Sequence, residues 1–420
     1  MIKFPHSLLS WNLDKSDRLI IYLFGHKIFS HRFKKKALKC DPEKYFKWLN
    51  ILRMDKSEFV TYTDNPYKRK DGDVKVFAYY LPQFHTIPEN DKAFGRGFTE
   101  WTNVAAIQPQ YVGHYQPKIP FDVGFYDLRN PCVMQRQVTI AKDYGVYGFC
   151  FYYYWFSGKK LLNEPIETFL KSDIDIHFHF CWCNENWSKL WDGGNRETII
   201  KQTLEPEDAE KFFNDILPYI KDSRYEKISN KPILMIYNSA IFNKSIFRNF
   251  LISLNSMAKK AGFDGFFITI AKKAKMNVKG FDFDAIVEFP PHCMDCKEKV
   301  KARIENNAKY TVFDGDSYIK NRSYIYKSDY RIFKCAFPSW DNLPRKLNSG
   351  GSVFEVSSDS FREWLKGIID WTIKNNPADM QYVYINAWNE WAEGAILEPT
   401  TRYGYKNLNI LKQTLEEFQK

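Results

Sequence analysis

Two glutamates three residues apart, Glu390 and Glu393, stand in the run Asn386-Ala387-Trp388-Asn389-Glu390-Trp391-Ala392-Glu393-Gly394. Cleaving an acetal needs one carboxyl group to protonate the leaving oxygen. It needs a second to work on the opposite face or on a neighbouring hydroxyl. Two carboxylates this close push their pKa values apart, so that one holds a proton near neutrality while the other is ionised. The pair therefore reads as a general acid and a general base. The structural alternative is two acids in the first turn of a helix, stabilising its N-terminus. The neighbours Trp388, Asn389, Trp391 and Gly394 favour the chemical reading, because rings stack on the C–H faces of sugars and polar tips hydrogen-bond to hydroxyls.

The same mixture closes other short apolar runs. The first ends in Tyr79-Tyr80-Leu81-Pro82-Gln83-Phe84-His85, the second in Tyr154-Trp155, the third in Asn184-Glu185-Asn186-Trp187, the fourth in Tyr237 and the seventh in Trp340. Glu100 and Trp101 follow in the segment after the first run. Tyr79, Tyr80, Gln83, His85, Glu100, Trp101, Tyr154, Trp155, Asn184, Glu185, Asn186, Trp187, Tyr237, Trp340, Trp388 and Asn389 are accordingly expected to bind substrate. Plain alternatives exist: Glu185 as a solvated loop acid, His85 as a satisfied histidine at the mouth. His177 and His179 alternate within a strand and read as structural. His292-Cys293 with Cys296 lacks the further ligands of a zinc ribbon, and no metal is expected. Neither G-x-x-x-x-G-K-[ST] nor G-x-G-x-x-G occurs. Gly95-Arg96-Gly97 lacks the third glycine and the preceding strand, so no phosphate-cradling loop is visible. A G-x-S-x-G nucleophile motif is absent too.

Positioning such residues is the task of the elements that precede them. Eight runs rich in aromatic and β-branched residues recur at 74–84, 148–156, 176–187, 231–238, 265–271, 284–291, 331–340 and 381–391. Amphipathic segments lie between most of them, at Val133–Asp143, Glu207–Asp222, Ser245–Ala261 and Asp359–Lys374. Strands that are apolar on both faces and alternate with helices predict a parallel sheet. Eight units predict a closed (β/α)8 TIM barrel, in which the loops after the strands build the site. Two of these loops, 85–130 and 292–330, are long, as functional loops are.

The chain's 420 residues suit one barrel with additions. With 44% hydrophobic and 26% charged residues, the chain reads as globular and not disordered. Its 12 Trp, 26 Tyr and 35 Phe suit a ring-lined cleft as well as an aromatic core. Of the net charge of +11, residues 1–73 carry +7, from 16 Lys/Arg against 9 Asp/Glu. These residues are expected to form a basic N-terminal extension, with the catalytic barrel at 74–420. Within Ser16–Lys36, the apolar pieces Leu19–Phe24 and Ile28–Phe29 lead into Arg32, Lys34, Lys35 and Lys36. An apolar patch beside a basic cluster is the composition of a membrane-surface contact; the alternative is a surface helix or hairpin packed on the barrel. No nucleic-acid motif is present, and nucleic acid is not an expected partner. The N-terminus lacks the long apolar region of a signal peptide, and no run reaches the length of a membrane span. Cys150, Cys181, Cys183 and Cys335 lie in apolar runs and read as buried reduced thiols, which suits the cytoplasm.

Three stretches carry a resemblance: AYYLPQFH to IPENDKAFGRGFTEWTNV (78–104), FYYYWFSGKKLL (151–162) with FCWCNENW (180–187), and INAWNEWAEGAILEPTTRYG (385–404). They resemble the WbsX-type polysaccharide biosynthesis proteins, which are similar to glycoside hydrolase family 99. The likeness covers about residues 74–405 and leaves 1–73 outside. It implies a (β/α)8 barrel cleaving α-mannosidic bonds within chains with retention, without a metal or an organic cofactor. It implies Glu393 as general acid/base. It also implies Glu390 as the base that deprotonates the sugar's own 2-hydroxyl, which attacks C1 to give a 1,2-anhydro intermediate. WbsX-type proteins accompany the assembly of cell-surface polysaccharide (O-antigen, lipopolysaccharide or capsule) and carry a glycosyltransferase description. Three readings follow: a glycoside hydrolase or transglycosidase acting on a glycan or lipid-linked oligosaccharide, a glycosyltransferase of the same pathway, and an inactive glycan-binding barrel. The expected location is cytoplasmic, peripheral at the inner face of the membrane.

Overall fold

In a computed structural model of the chain, the structure describes residues 55–111, 113–189, 197–273, 280–294 and 309–419, with the backbone of strands at 9–13, 18–23, 26–32 and 299–300. Residues Lys34–Lys36 and Cys296 lie outside them.

All eight expected strands are present: β1 Lys75–Tyr80, β2 Gly148–Phe156, β3 His177–Trp182, β4 Lys231–Ile236, β5 Phe267–Lys272, β6 Ala285–Glu288, β7 Ile332–Ala336 and β8 Tyr382–Ile385. Each pairs in parallel with the next, and β8 pairs in parallel with β1 (Tyr382 opposite Lys75, Ile385 opposite Ala78), which closes the barrel. Alternation along each strand sorts side chains into two layers. Phe77 and Tyr79 of β1, Cys150 of β2, Met235 of β4 and Tyr384 of β8 fill the interior. Val76, Ala78 and Tyr80, or Phe149, Phe151 and Tyr153, face the helices. Because both layers are dry, the strands read as unbroken apolar runs.

The outer layer holds α1 Pro131–Asp143, α2 Glu164–Leu170, α3 Asp208–Lys221, α4 Lys244–Lys260, α5 Gly315–Lys320, α6 Ser358–Asn375 and α7 Lys406–Phe418. Each long helix buries one stripe, such as Phe361, Trp364, Leu365, Ile368 and Thr372 of α6. Side chains of this size contribute roughly 1.5–3 kcal/mol each when fully buried. The starts are chemically marked. The Asn130 side chain accepts from the Cys132 amide ahead of α1, and Ser357 accepts from the Ser360 amide ahead of α6. The long segments expected as loops contain further elements: helices Pro88–Phe94 and Trp101–Ala106 in the first, strand Tyr310–Asp314 and α5 in the second. These are too short to show a period in sequence.

Contacts divide the chain into two units, residues 1–57 with 303–307, and residues 58–302 with 308–420. In the first, Leu9–Leu13, Arg18–Leu23 and His26–Arg32 form a three-stranded antiparallel sheet, so the apolar residues Leu19–Leu23 and Ile28–Phe29 lie on strands. The second contains the barrel. Among the described residues no helix is long and apolar enough to cross a membrane.

Candidate active site

Beyond β8 the chain folds into a hairpin, Asn389–Glu390 against Ala395–Ile396, closed by the single 3-10 turn Trp391–Glu393. Gly394 ends this turn in the left-handed region at φ 61°. Its carbonyl accepts hydrogen bonds from Lys118 Nζ at 2.9 Å and from the Ser339 hydroxyl, which hold the turn from behind.

Glu390 and Glu393 leave this turn toward one guanidinium. Arg345 sits on the four-residue helix Leu343–Lys346 after β7. Its Nη2 donates to the two oxygens of Glu390 at 3.0 and 3.2 Å, and its Nη1 lies 3.1 Å from Oε1 of Glu393. The same group forms a two-pronged pair with Glu100, Nε to Oε1 and Nη2 to Oε2. Glu100 is fully buried and also accepts from the Gln83 amide. Acids from the loops after β1 and β8 thus converge on a cation from the loop after β7.

Burial raises the Glu390 carboxyl well above the ordinary range; Glu100 and Glu393 add to this and Arg345 opposes it. Burial also raises Glu100, against the pull of Arg345. Burial alone would weaken the proton on Arg345, but the surrounding carboxylates outweigh it and hold the guanidinium charged. Three anions around one cation in a dry site are costly, so the set keeps a proton near neutrality, as a property of the set. The two acids expected from the spacing meet at this cation, with Glu100 as a third member. The side chain of Glu393 is 18% exposed against 7% for Glu390, so Glu393 is the more accessible of the two.

Around this cluster, Tyr154 donates to Gln83 at 3.3 Å and meets Trp187 edge-on at 5.1 Å. Glu185 accepts from Asn238 Nδ2 at 2.7 Å and pairs with Lys273 at 2.9 Å, and Lys273 lies 3.6 Å over the Tyr237 ring. Burial raises the Tyr237 hydroxyl, with Glu185 and Glu393 adding; burial lowers the His292 imidazole, with Glu393 opposing. Both rings therefore lie within the field of Glu393. Trp340 packs edge-on against His292 at 5.3 Å, and its indole donates to Ser352.

Other residues expected to touch substrate face elsewhere. Tyr80 and Trp155 have the outward parity of their strands and bond Gln137 of α1 and Asp215 of α3, each at 2.7 Å. Tyr79 points into the barrel, its hydroxyl 3.5 Å from Met235 Sδ. Trp388 is wholly buried beside Phe149. The amide of Asn389 is spent on both backbone groups of Leu81, and that of Asn184 on both of Asn238. Asn186 is exposed and accepts from the Gln202 amide. Trp101 donates to the Tyr126 carbonyl and packs on Phe84 and Trp391. His85 is 1% exposed, and burial lowers its pKa to about 4, which leaves it neutral. His179 bonds Tyr384 inside the barrel, as a structural histidine does.

Arg345 was not among the expected residues. Its signal was indirect: buried acids require a counter-cation, and Arg345 lies in the loop after the seventh strand. Among the described residues no three His, Cys, Asp or Glu side chains are arranged to hold a metal ion. Cys150, Cys181, Cys183 and Cys335 are buried free thiols. A separate cavity of about 860 Å³ lies behind Gly394, lined by Tyr111, His114, Lys118, Ser339, Asp341 and Glu355 among others. None of Glu100, Arg345, Glu390 and Glu393 lines it.

The sequence model of a family described as Glycosyltransferase WbsX matches residues 76–411. A protein of Xanthomonas campestris pv. campestris strain B100, described as uncharacterized protein WxcX, is 37% identical over 353 residues, covering 81% of this chain and 49% of the relative. A second Xanthomonas campestris pv. campestris protein of the same description matches equally. The chain thus spans about half the length of the curated relatives it matches. Among solved structures, a glycoside hydrolase-like protein superposes with a TM-score of 0.53 at 14% identity, covering 86% of this chain and 98% of that one. The GH99 endo-alpha-mannosidase from Bacteroides thetaiotaomicron superposes with a TM-score of 0.51 at 12% identity, covering 83% and 98%. At these identities the structural likeness concerns the fold, the (β/α)8 barrel.

Proposed function

Since the chain belongs to the WbsX glycosyltransferase family, we propose that it is a carbohydrate-active enzyme that breaks or exchanges α-mannoside-type bonds with retention, in cell-surface polysaccharide metabolism. The observation that supports this most is the convergence of Glu390 and Glu393 on Arg345 at the barrel mouth, with Glu100 behind them. In this reading Glu390 takes the proton of the sugar 2-hydroxyl, O2 attacks C1, and Glu393 gives its proton to the departing oxygen. Water or a sugar hydroxyl then attacks C1, losing its proton to Glu393, while Glu390 returns a proton to O2. Two inversions give net retention, and atoms and charge balance without another reactant. The first step requires Glu390 ionised; its two bonds from Arg345 pull that way, against burial, which favours the proton on Glu390. In this reading Tyr154, Trp187 and Tyr237 are the rings that hold the sugar, whereas Trp340 is 1% exposed and supports the site from within the fold.

A second reading, a glycosyltransferase, is favoured by the family's own description. Product analysis separates the two. The protein is incubated with host polysaccharide or its lipid-linked repeat unit, with and without nucleotide sugars, beside Glu390→Gln and Glu393→Gln. Shortened or exchanged glycans without nucleotide, reduced on the order of 10²–10⁴-fold in each variant, support the first reading. Extension that requires a nucleotide sugar and releases nucleotide overturns it. The basic residues of 1–73 support a peripheral contact with an anionic inner membrane surface, where lipid-linked glycans would be met. Co-sedimentation with anionic but not neutral vesicles, weakened by salt, is the expected result, and equal binding to both would remove the electrostatic basis for the contact.

A further inference from the structure

Behind the Trp391–Glu393 turn lies a carboxylate that the scheme above does not use. Glu398 is 3% exposed. Its Oε2 accepts from the Tyr126 hydroxyl at 2.8 Å and from the Trp391 indole N–H at 2.7 Å; its Oε1 accepts from Gln137 Nε2 at 2.7 Å. These donors come from the loop after β1, the turn itself and helix α1.

Their orientations are committed. The amide oxygen of Gln137 accepts the Tyr80 hydroxyl at 2.7 Å, so its NH₂ faces Glu398. The Tyr126 oxygen accepts from Asn389 Nδ2 at 3.3 Å, which leaves its proton for Glu398. Asn389 is fixed in turn by the Leu81 backbone. An indole N–H can only donate. A group meeting these donors must be acceptor-only, and an ionised carboxylate is one. Burial pushes the Glu398 carboxyl up to about 7, against the pull of its donors, so the fold retains a costly group at this spot.

Trp391 stands between Glu390 and Glu393, and its ring is 1% exposed. Holding the indole fixes the rotation of the turn, and with it the directions in which both acids emerge. We propose that Glu398 is a positioning residue of the same site, acting through the Trp391 indole to aim Glu390 and Glu393 at the sugar. This rests on the reading of that turn as catalytic.

Glu398→Gln keeps the shape but places an NH₂ against committed donors. The reciprocal pair Glu398→Gln with Gln137→Glu restores the pattern: the new amide donates to the new carboxylate, which still accepts from Tyr80, while the amide oxygen accepts from Tyr126 and Trp391. Two readouts are followed on the full chain. One is kcat and KM for glycan turnover. The other needs no substrate: the indole ¹⁵N–¹H resonance of Trp391 in ¹⁵N-tryptophan-labelled protein, assigned with Trp391→Phe. Glu398→Gln is expected to shift the resonance and to lower kcat on the order of 10²-fold with little change in KM, as misaimed groups do. The reciprocal pair is expected to return both most of the way. A shifted resonance with kcat per folded molecule unchanged overturns the proposal and leaves Glu398 a stabilising residue. An unmoved resonance, or a reciprocal pair that restores neither readout, overturns the assigned hydrogen bonds. A parent protein that turns over no glycan overturns the reading of the turn, and the positioning role with it. The resonance then still decides whether the Glu398–Trp391 bond exists, so the two failures stay distinct.

Discussion

Arg345 is the residue on which the acids of the cleft depend. Its guanidinium reaches Glu100, Glu390 and Glu393 together, and Glu100 has no access to solvent. Removing one partner of a buried ion pair strands the other, at a cost of about 3–5 kcal/mol. Arg345→Gln should therefore lower unfolding stability by roughly that amount in a urea titration. Arg345→Lys keeps a charge but cannot span three carboxylates with a planar fork. It should recover much of the stability while turnover stays low. If Arg345→Gln unfolds like the parent, the cluster is not held by this cation. If Arg345→Lys turns over like the parent, the fork geometry is irrelevant to the chemistry. The Glu100→Gln variant adds a check: with one anion removed, Glu390 should titrate lower than in the parent, because Glu100 is one of the groups that raise it. An unchanged or higher Glu390 titration, followed by ¹³C-glutamate NMR, would contradict the electrostatic picture of the set.

At the scale of elements, the hairpin that carries the acids depends on Gly394. A Cβ there would lie 2.7 Å from Lys118 Nζ and 3.1 Å from the Asp341 amide nitrogen, in a conformation that L side chains rarely adopt. Lys118 is the group that bonds the Gly394 carbonyl, so it cannot withdraw without releasing the turn. Gly394→Ala should cost about 1–3 kcal/mol and reduce turnover more than binding; an alanine variant with parental stability and kcat would show that the turn tolerates displacement. Elements of this size also mark where the sequence stops being legible. The strands and long helices were readable, because burial on both faces gives continuous apolar runs and burial on one face gives a stripe. The helix expected from Ser245 to Ala261 runs from Lys244 to Lys260. The acids of the cleft were readable from type and spacing. Arg345 was not, because it rides on a four-residue helix without periodicity and meets Glu100 across 245 positions of chain. Strand parity did separate inward Tyr79 and Tyr154 from outward Tyr80 and Trp155, but it becomes usable only once the register is known. That Asn184 and Asn389 bind backbone instead of facing the cleft depends on which loops meet, and no local pattern encodes that.

For the whole molecule, the barrel end opposite the cleft is tied by another buried acid. Glu226, at 3% exposure, pairs with Lys75 at 2.7 Å and accepts from the Tyr382 hydroxyl at 2.6 Å and the Tyr147 hydroxyl at 3.2 Å, with His177 Nδ1 at 3.1 Å. Lys75, His177 and Tyr382 are the first residues of β1, β3 and β8, so one carboxylate joins strand starts around the bottom of the barrel. Burial alone would raise its pKa, but the bonds from His177, Lys75 and Tyr382 outweigh burial and bring it to about 2. A carboxyl whose folded pKa is depressed adds stability that is fully present above its unfolded value, roughly 4.5, and is lost as pH falls toward the folded value. A shift of this size corresponds to on the order of 3 kcal/mol. Glu226→Gln should therefore be clearly less stable than the parent at pH 6 to 7, and the difference between their unfolding midpoints should shrink as pH is lowered from about 5 toward 2. Because this end of a barrel carries stability while the other carries chemistry, turnover per folded molecule at neutral pH should be that of the parent. A midpoint difference that stays constant with pH would show that Glu226 contributes by packing and not by charge. A fall in turnover would mean that the two ends of the barrel are coupled through the inward rings of Phe77, Tyr382 and Tyr384, which pack against one another.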